Sequence, residues 1–90
     1  MNGSEPMSSD HKRHPLEVWL NANSVTVAEF TRQLKRTGVH VTRYTIDLWL
    51  LDESTPNLRN AYAIGLATEG TVSMEKLARW SLGIEEDVTQ

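Results

Sequence analysis

Thr42, Arg43, Tyr44 and Thr45 stand in a row in the stretch VTRYTIDLWLLDESTP, residues 41 to 56, and Asp47 follows two places on. These side chains suit base edges and phosphates. An arginine can read guanine through two hydrogen bonds, and a carboxylate, although it repels phosphate, can accept from cytosine N4. Upstream lie Arg32, Lys35, Arg36 and His40. Between Phe30 and Ile46 there are four basic residues and no acidic one. A local basic patch attracts phosphate even on an acidic molecule, and such contacts set position without reading sequence. Plainer roles compete at each position. Thr42 and Thr45 can be helix caps, Tyr44 a partly buried ring, and the cations a solvated face.

Other chemistries find less support. There is no cysteine, which excludes a disulfide framework, a thiolate metal site and a cysteine nucleophile. His11, His14 and His40 do not share metal-ligand spacing with carboxylates on one face, so no metal or other cofactor is expected. No nucleophile stands beside a base, no carboxylate pair marks a cleft and no Gly-rich phosphate loop occurs. The sequence therefore reads as a non-enzyme, and a chain of 90 residues leaves little room for a pocket. Trp19, Trp49 and Trp80 can stack on single-stranded bases, but their helical spacing assigns them to a small core in which each ring would bury ~150–250 Å².

Net charge is −3, and its distribution is uneven. Residues 1–10 carry −2, residues 11–46 carry +4 and residues 47–90 carry −5. The apolar runs are far too short for a membrane span. The opening MNGSEPMSSDHKRHP lacks the apolar core of a secretory signal, so a cytoplasmic protein is the default expectation.

The elements that must position these side chains read as all-α. Residues 1–13 are polar and expected to be a disordered tail, with the HKRH run at 11–14 a candidate basic arm. His14-Pro15 opens a first helix with Leu16, Trp19 and Leu20 inward, ended by Asn21-Ala22-Asn23-Ser24. Thr26-Val27-Ala28-Glu29 is a capping-box pattern. It starts a second helix carrying Phe30 and Leu34, which Gly38 ends. Thr42 caps a third helix with Ile46, Trp49 and Leu50 inward. Thr55-Pro56 caps and opens a fourth through Leu58, Ala61, Ile64 and Ala67, closed by Glu69-Gly70. Ser73 caps a fifth with Leu77 and Trp80, and Gly83 begins an acidic tail over 83–90. A single domain over 14–82 is expected.

Two short helices joined by a Gly-containing turn, with a late Trp in the second, make a helix-turn-helix signature. Here the sequence resembles the phage-repressor, Cro-like (XRE-class) helix-turn-helix family, over about residues 14–80. HPLEVWLNANSVTVAEFTRQL resembles the family's opening helix, linker and T-x-A-E-F start of the second helix. VTRYTIDLWLLDESTP resembles its recognition helix, with Val41, Ile46 and Trp49 at the apolar places. PNLRNAYAIGLATEGTVSMEKLARW resembles its closing pattern, in which A-T-x-G-x-V precedes a short last helix. The chain departs from the family in two ways. Thr31 takes the small place of the second helix, Lys35 falls where the turn glycine would be, and RTGVH lengthens the path to Val41. Leu48 and Leu51 are expected to face outward.

The resemblance implies a compact, five-helix, repressor-like domain acting as a sequence-specific transcriptional regulator of phage or mobile-element type. The helix near 42–51 would enter the major groove of a double-stranded operator, and a homodimer would span half-sites about one helical turn apart. Thr42, Arg43, Tyr44, Thr45 and Asp47 would face the bases. Lys35, Arg36, His40 and Arg32 would face the backbone, and Asn57 and Arg59 could offer phosphate a helix start. Met74, Trp80, Leu82 and Ile84 would form the dimer contact. The rival is a protein-interaction module on the same fold (antitoxin, antiactivator or co-regulator) that meets a protein partner through Leu48 and Leu51 and does not itself bind DNA.

Overall fold

Helix starts and stops are written along this chain at short intervals, and each is met by a specific hydrogen bond. A computed structural model describes residues 13–84. In order these form α1 (Pro15–Asn23), α2 (Val27–Arg36), α3 (Arg43–Leu50), α4 (Leu58–Ala67) and α5 (Met74–Leu82). No strand occurs among the described residues, so the domain is all-α. The expected tail lies mostly outside the described residues, as do His11 and Lys12 of the candidate basic arm.

The caps explain why the helices begin where they do. Thr26 accepts from Glu29 N–H at 3.1 Å, Thr42 from Thr45 N–H at 3.2 Å and Ser73 from Lys76 N–H at 3.1 Å. Each satisfies one of the orphan donors of a first turn. The return bond of a full capping box, from Glu29 to the Thr26 N–H, is absent among the described residues. α4 departs from expectation. Its cap is Asn57, whose Oδ1 accepts from Asn60 N–H at 2.8 Å, and Thr55-Pro56 lies ahead of the helix. His14 also differs from the arm proposed for it. It is buried and caps α1, its Nδ1 accepting from Leu16 N–H at 3.1 Å, with Pro15 directly after it.

All five helices end alike, on a residue of positive φ (Ser24, Gly38, Asp52, Glu69 and Gly83) whose N–H and the next turn back onto helix carbonyls. After α2, Gly38 takes φ +96°, Gly38 N–H donates to the Lys35 carbonyl, and Val39 N–H donates to the Leu34 carbonyl. After α5, Gly83 takes φ +74°, Gly83 N–H donates to Trp80, and Ile84 N–H donates to Arg79. These are Schellman-type closures, in which the residue after the left-handed one turns back over the helix. At Gly38 the consequence is direct. Val39 is 6 % exposed and part of the core, so the long α2–α3 connection is pinned down rather than projecting.

The core is one cluster built from all five helices and their connections, with Leu16, Phe30, Leu34, Ile46 and Ile64 at 0 % exposure and Trp49 at 1 %. α2 is central, packed on α3 and α4, and α5 closes the domain against α4 and α1. Burying such a side chain contributes ~1.5–3 kcal/mol, a large share of what holds so short a chain folded.

Several expected core positions are otherwise. Leu58 is 73 % exposed. Trp49 is fully buried, whereas Trp19 and Trp80 are half-buried. Trp19 packs on Phe30, ring centroids 5.7 Å apart, and Trp80 meets the edge of His14 at 5.5 Å.

The A-T-x-G-x-V stretch has a clear structural logic. Thr68 is 2 % exposed, and its hydroxyl donates to the Ile64 carbonyl at 2.8 Å and accepts from Val72 N–H at 3.0 Å. Gly70 supplies a positive φ of 86°. The turn thereby delivers Val72 into the core at 1 % exposure.

Candidate nucleic-acid interface

α3 is short, and its two faces differ in kind. Ile46, Trp49 and Leu50 recur at i, i+3 and i+4 and turn inward, the first two buried and Leu50 half-buried against the core. Arg43, Tyr44 and Asp47 are exposed, Tyr44 at 70 %. Arg43 and Asp47 are one turn apart and share a face. Leu51, the residue closing the helix, is 65 % exposed. Leu48 is half-buried, so of the two leucines expected outward only Leu51 is fully so.

Thr42 and Thr45 serve the helix start first. Their hydroxyls lie 3.2 Å apart, and that of Thr42 also accepts from the Thr45 N–H. Thr42 is exposed and Thr45 half-buried. Asn57 is likewise spent on capping α4, with Arg59 exposed beside it.

The cations fall around the α2–α3 connection. Arg32, Lys35 and Arg36 are exposed on α2, spaced three and four apart so that they share a face. His40 is exposed in the six-residue connection between Arg36 and Arg43. Among the described residues, none of these four arginines and lysines (Arg32, Lys35, Arg36, Arg43) lies within 4.0 Å of a carboxylate oxygen.

Helix electrostatics separates the four. Lys35 and Arg36 occupy the last turn of α2, where a cation stabilises the helix by ~0.3–1 kcal/mol, so stability alone accounts for their type. Arg43 is different. It is the first residue of α3, whose first turn has no acidic residue. A cation there faces the positive end of the helix dipole and is unfavourable by a similar ~0.3–1 kcal/mol. Folding does not explain that residue type. Exposed N–H groups at a helix start with a guanidinium beside them are an arrangement able to hold an anion.

A further apolar surface was not expected. On α4, Leu58, Tyr62 and Leu66 are 73 %, 59 % and 52 % exposed and recur every four residues, forming one unpartnered stripe. Helical phase could have shown it, since Tyr62 and Leu66 fall off the Ala61–Ile64 face. Of the residues expected at a dimer contact, Leu82 and Ile84 are exposed, whereas Met74 and Trp80 are half-buried.

The expectation of little room for a pocket is also corrected. Between α1 and α5 lies a cleft of about 850 Å³ on residues the sequence did not associate. Trp80 Nε1 donates to Asp52 Oδ1 at 2.8 Å across its rim. Asp52, just past α3, holds φ at +65°, a conformation costly for a residue with a Cβ. No group of three or more histidine, aspartate or glutamate residues able to hold a metal occurs among the described residues, and no helix there is long and apolar enough to cross a membrane.

The chain matches no family model, no curated protein and no solved structure.

Proposed function

We propose that the chain is a sequence-specific DNA-binding transcriptional regulator of repressor-like type, with α3 presented to the major groove and a second copy completing the operator contact. The observation that carries this reading is Arg43, exposed at the first position of α3, unpaired among the described residues and placed against helix stability. Tyr44 and Asp47 stand beside it as exposed readers. Lys35, Arg36 and Arg32 on the flanking helix supply positive charge to phosphates, and His40 a hydrogen-bond donor, none of which need read sequence.

The test is binding to duplex DNA from upstream of the protein's own coding region, followed by fluorescence anisotropy at about 50 mM and 200 mM salt. Affinity should fall steeply between the two, because phosphate contacts release counterions. Arg43→Ala should cost ~1–3 kcal/mol, concentrated at one base position, and Lys35→Ala should weaken all sequences alike. An Arg43→Ala protein that discriminates sites as wild type does would show that α3 does not read bases through this residue.

A protein-interaction module is the second reading. It is favoured by the apolar side chains Leu51, Leu58, Tyr62 and Leu66, all more than half exposed, on a molecule of net charge −3. A hydrophobic interface holds its affinity as salt rises, so the same titration against a captured partner separates the readings.

A further inference from the structure

We propose that the cleft between α1 and α5 is a binding site for an amphipathic organic anion, an aromatic ring system bearing a carboxylate or sulfonate. This goes beyond the α3 reading, which uses none of the cleft's residues, and stands independently of it. The cleft's volume of about 850 Å³ falls in the ~300–1,000 Å³ range of small-molecule sites. Its apolar surface comes from Val18 and Trp19 on α1, from Val72, and from Trp80 and Ile84 on the α5 side. Both tryptophans are only half-buried. A domain this small buries aromatic area wherever it can, so two indoles left facing one cavity are a surface built for a ring.

Charge selects the other half of the ligand. Among the described residues, Arg13, Lys76 and Arg79 line the cleft against a single carboxylate, Asp52. That carboxylate is already an acceptor for Trp80 Nε1, which fixes the indole and blunts the charge of Asp52 toward a ligand. Arg79 contacts Glu75 through Nε at 3.4 Å in an exposed pair, leaving its terminal nitrogens free to donate to an oxyanion. Guanidinium and ammonium groups bind carboxylate and sulfonate through short charge-assisted hydrogen bonds. A cationic ligand would meet three like charges here, and a bare inorganic anion would leave the tryptophans uncovered.

The experiment uses the full chain and two probes of one shape, the anion 8-anilinonaphthalene-1-sulfonate and the neutral N-phenyl-1-naphthylamine. Binding is followed by fluorescence and by the three tryptophan indole N–H resonances. The anion should bind one-to-one and saturably, shifting Trp19 and Trp80 and leaving the buried Trp49 unmoved. Lys76→Glu with Arg79→Glu should weaken the anion at least roughly tenfold and leave the neutral probe unchanged. Ala22→Trp, at an exposed position lining the cleft, should block both probes while circular dichroism stays native. Three results would overturn the proposal: no saturable binding, equal anion affinity in the charge-reversed protein, or anion binding that leaves the Trp19 and Trp80 indole resonances unmoved. Sedimentation covers a second copy as occupant, since a dimer that the Ala22→Trp protein fails to form would assign the cleft to self-association instead.

Discussion

The basic edge around α3 and the cleft between α1 and α5 are assembled in opposite ways. The edge draws on a continuous stretch, Arg32 to Asp47, in which each side chain's exposure follows from its place on one helix or one connection. The cleft draws on three separated stretches, residues 13–23, Asp52 and residues 71–84, and exists only once α1, α5 and the end of α3 are packed. The edge is charged and wet, with its caps spent on its own helix. The cleft joins apolar rings to a few charged side chains and is tied by a side-chain bond spanning 28 positions, Trp80 to Asp52. A surface made from consecutive residues survives small changes in packing. A cavity made where separate stretches meet does not.

The residue that joins the regions should give the largest effect. Phe30, on α2, is fully buried and carries Trp19 of the cleft against its ring. Phe30→Ala should cost ~3–5 kcal/mol, out of the roughly 5–15 kcal/mol expected for a folded domain. Urea denaturation should show a midpoint shift of that size, and both surfaces should weaken together. A loss under 1 kcal/mol would mean that the two regions do not share this support.

Thr68 should separate them. In Thr68→Val the Ile64 carbonyl keeps its bond from the residue 68 N–H, but the Val72 N–H loses its acceptor inside the core. An orphaned buried donor costs ~1–3 kcal/mol. Because Val72 lines the cleft and the basic edge is carried by α2, α3 and their connection, cleft binding should fall while DNA binding by the folded fraction holds. Thr68→Ser keeps the hydroxyl and should retain the cleft. If Thr68→Val matches wild type in denaturation, the hydroxyl does not carry the turn.

The same contrast between local and distant explains what the sequence made legible. Thr26, Thr42 and Ser73 are caps because a hydroxyl reaches an N–H three residues on, and Gly38 and Gly83 end helices because their φ is positive. Both rules act within one turn. The start of α4 was misplaced because two local patterns compete there, Thr55-Pro56 and Asn57, and only the folded chain shows Asn57 taking the bond. Leu58 lies between the Ala61 row and the Tyr62–Leu66 stripe, and phase says which face a side chain is on, not how far neighbouring helices extend to cover it. Arg43, Tyr44 and Asp47 were legible as an exposed face for the same local reason. Asp52, Trp80 and the cleft were not, since no periodicity encodes a bond between a residue after α3 and one late in α5.

The smallest effect, and the finest division between the two regions, comes from His14. It caps α1 through Nδ1 and packs against Trp80 on the cleft side. Burial pushes its pKa below the ordinary 6.5, against an opposing pull from the carboxylates of Asp52 and Glu17. Protonation also removes the Nδ1 lone pair that accepts from Leu16. With the folded pKa below the unfolded one, the unfolded chain binds the proton more readily, so this group's contribution to stability rises with pH. It is complete above about pH 6.5, is lost as pH falls below that value, and levels off once pH is beneath the folded pKa. His14→Asn supplies a capping oxygen that does not titrate. The stability difference between wild type and this variant, measured by urea denaturation from about pH 7.5 down to 5, should therefore shift against wild type as the pH drops. Carboxylates elsewhere titrate in both proteins and cancel in the comparison. Equal pH slopes would mean that His14 is not held neutral by the fold. The expected divergence, with the α3 face unperturbed in its amide resonances, would place the pH response on the cleft side alone.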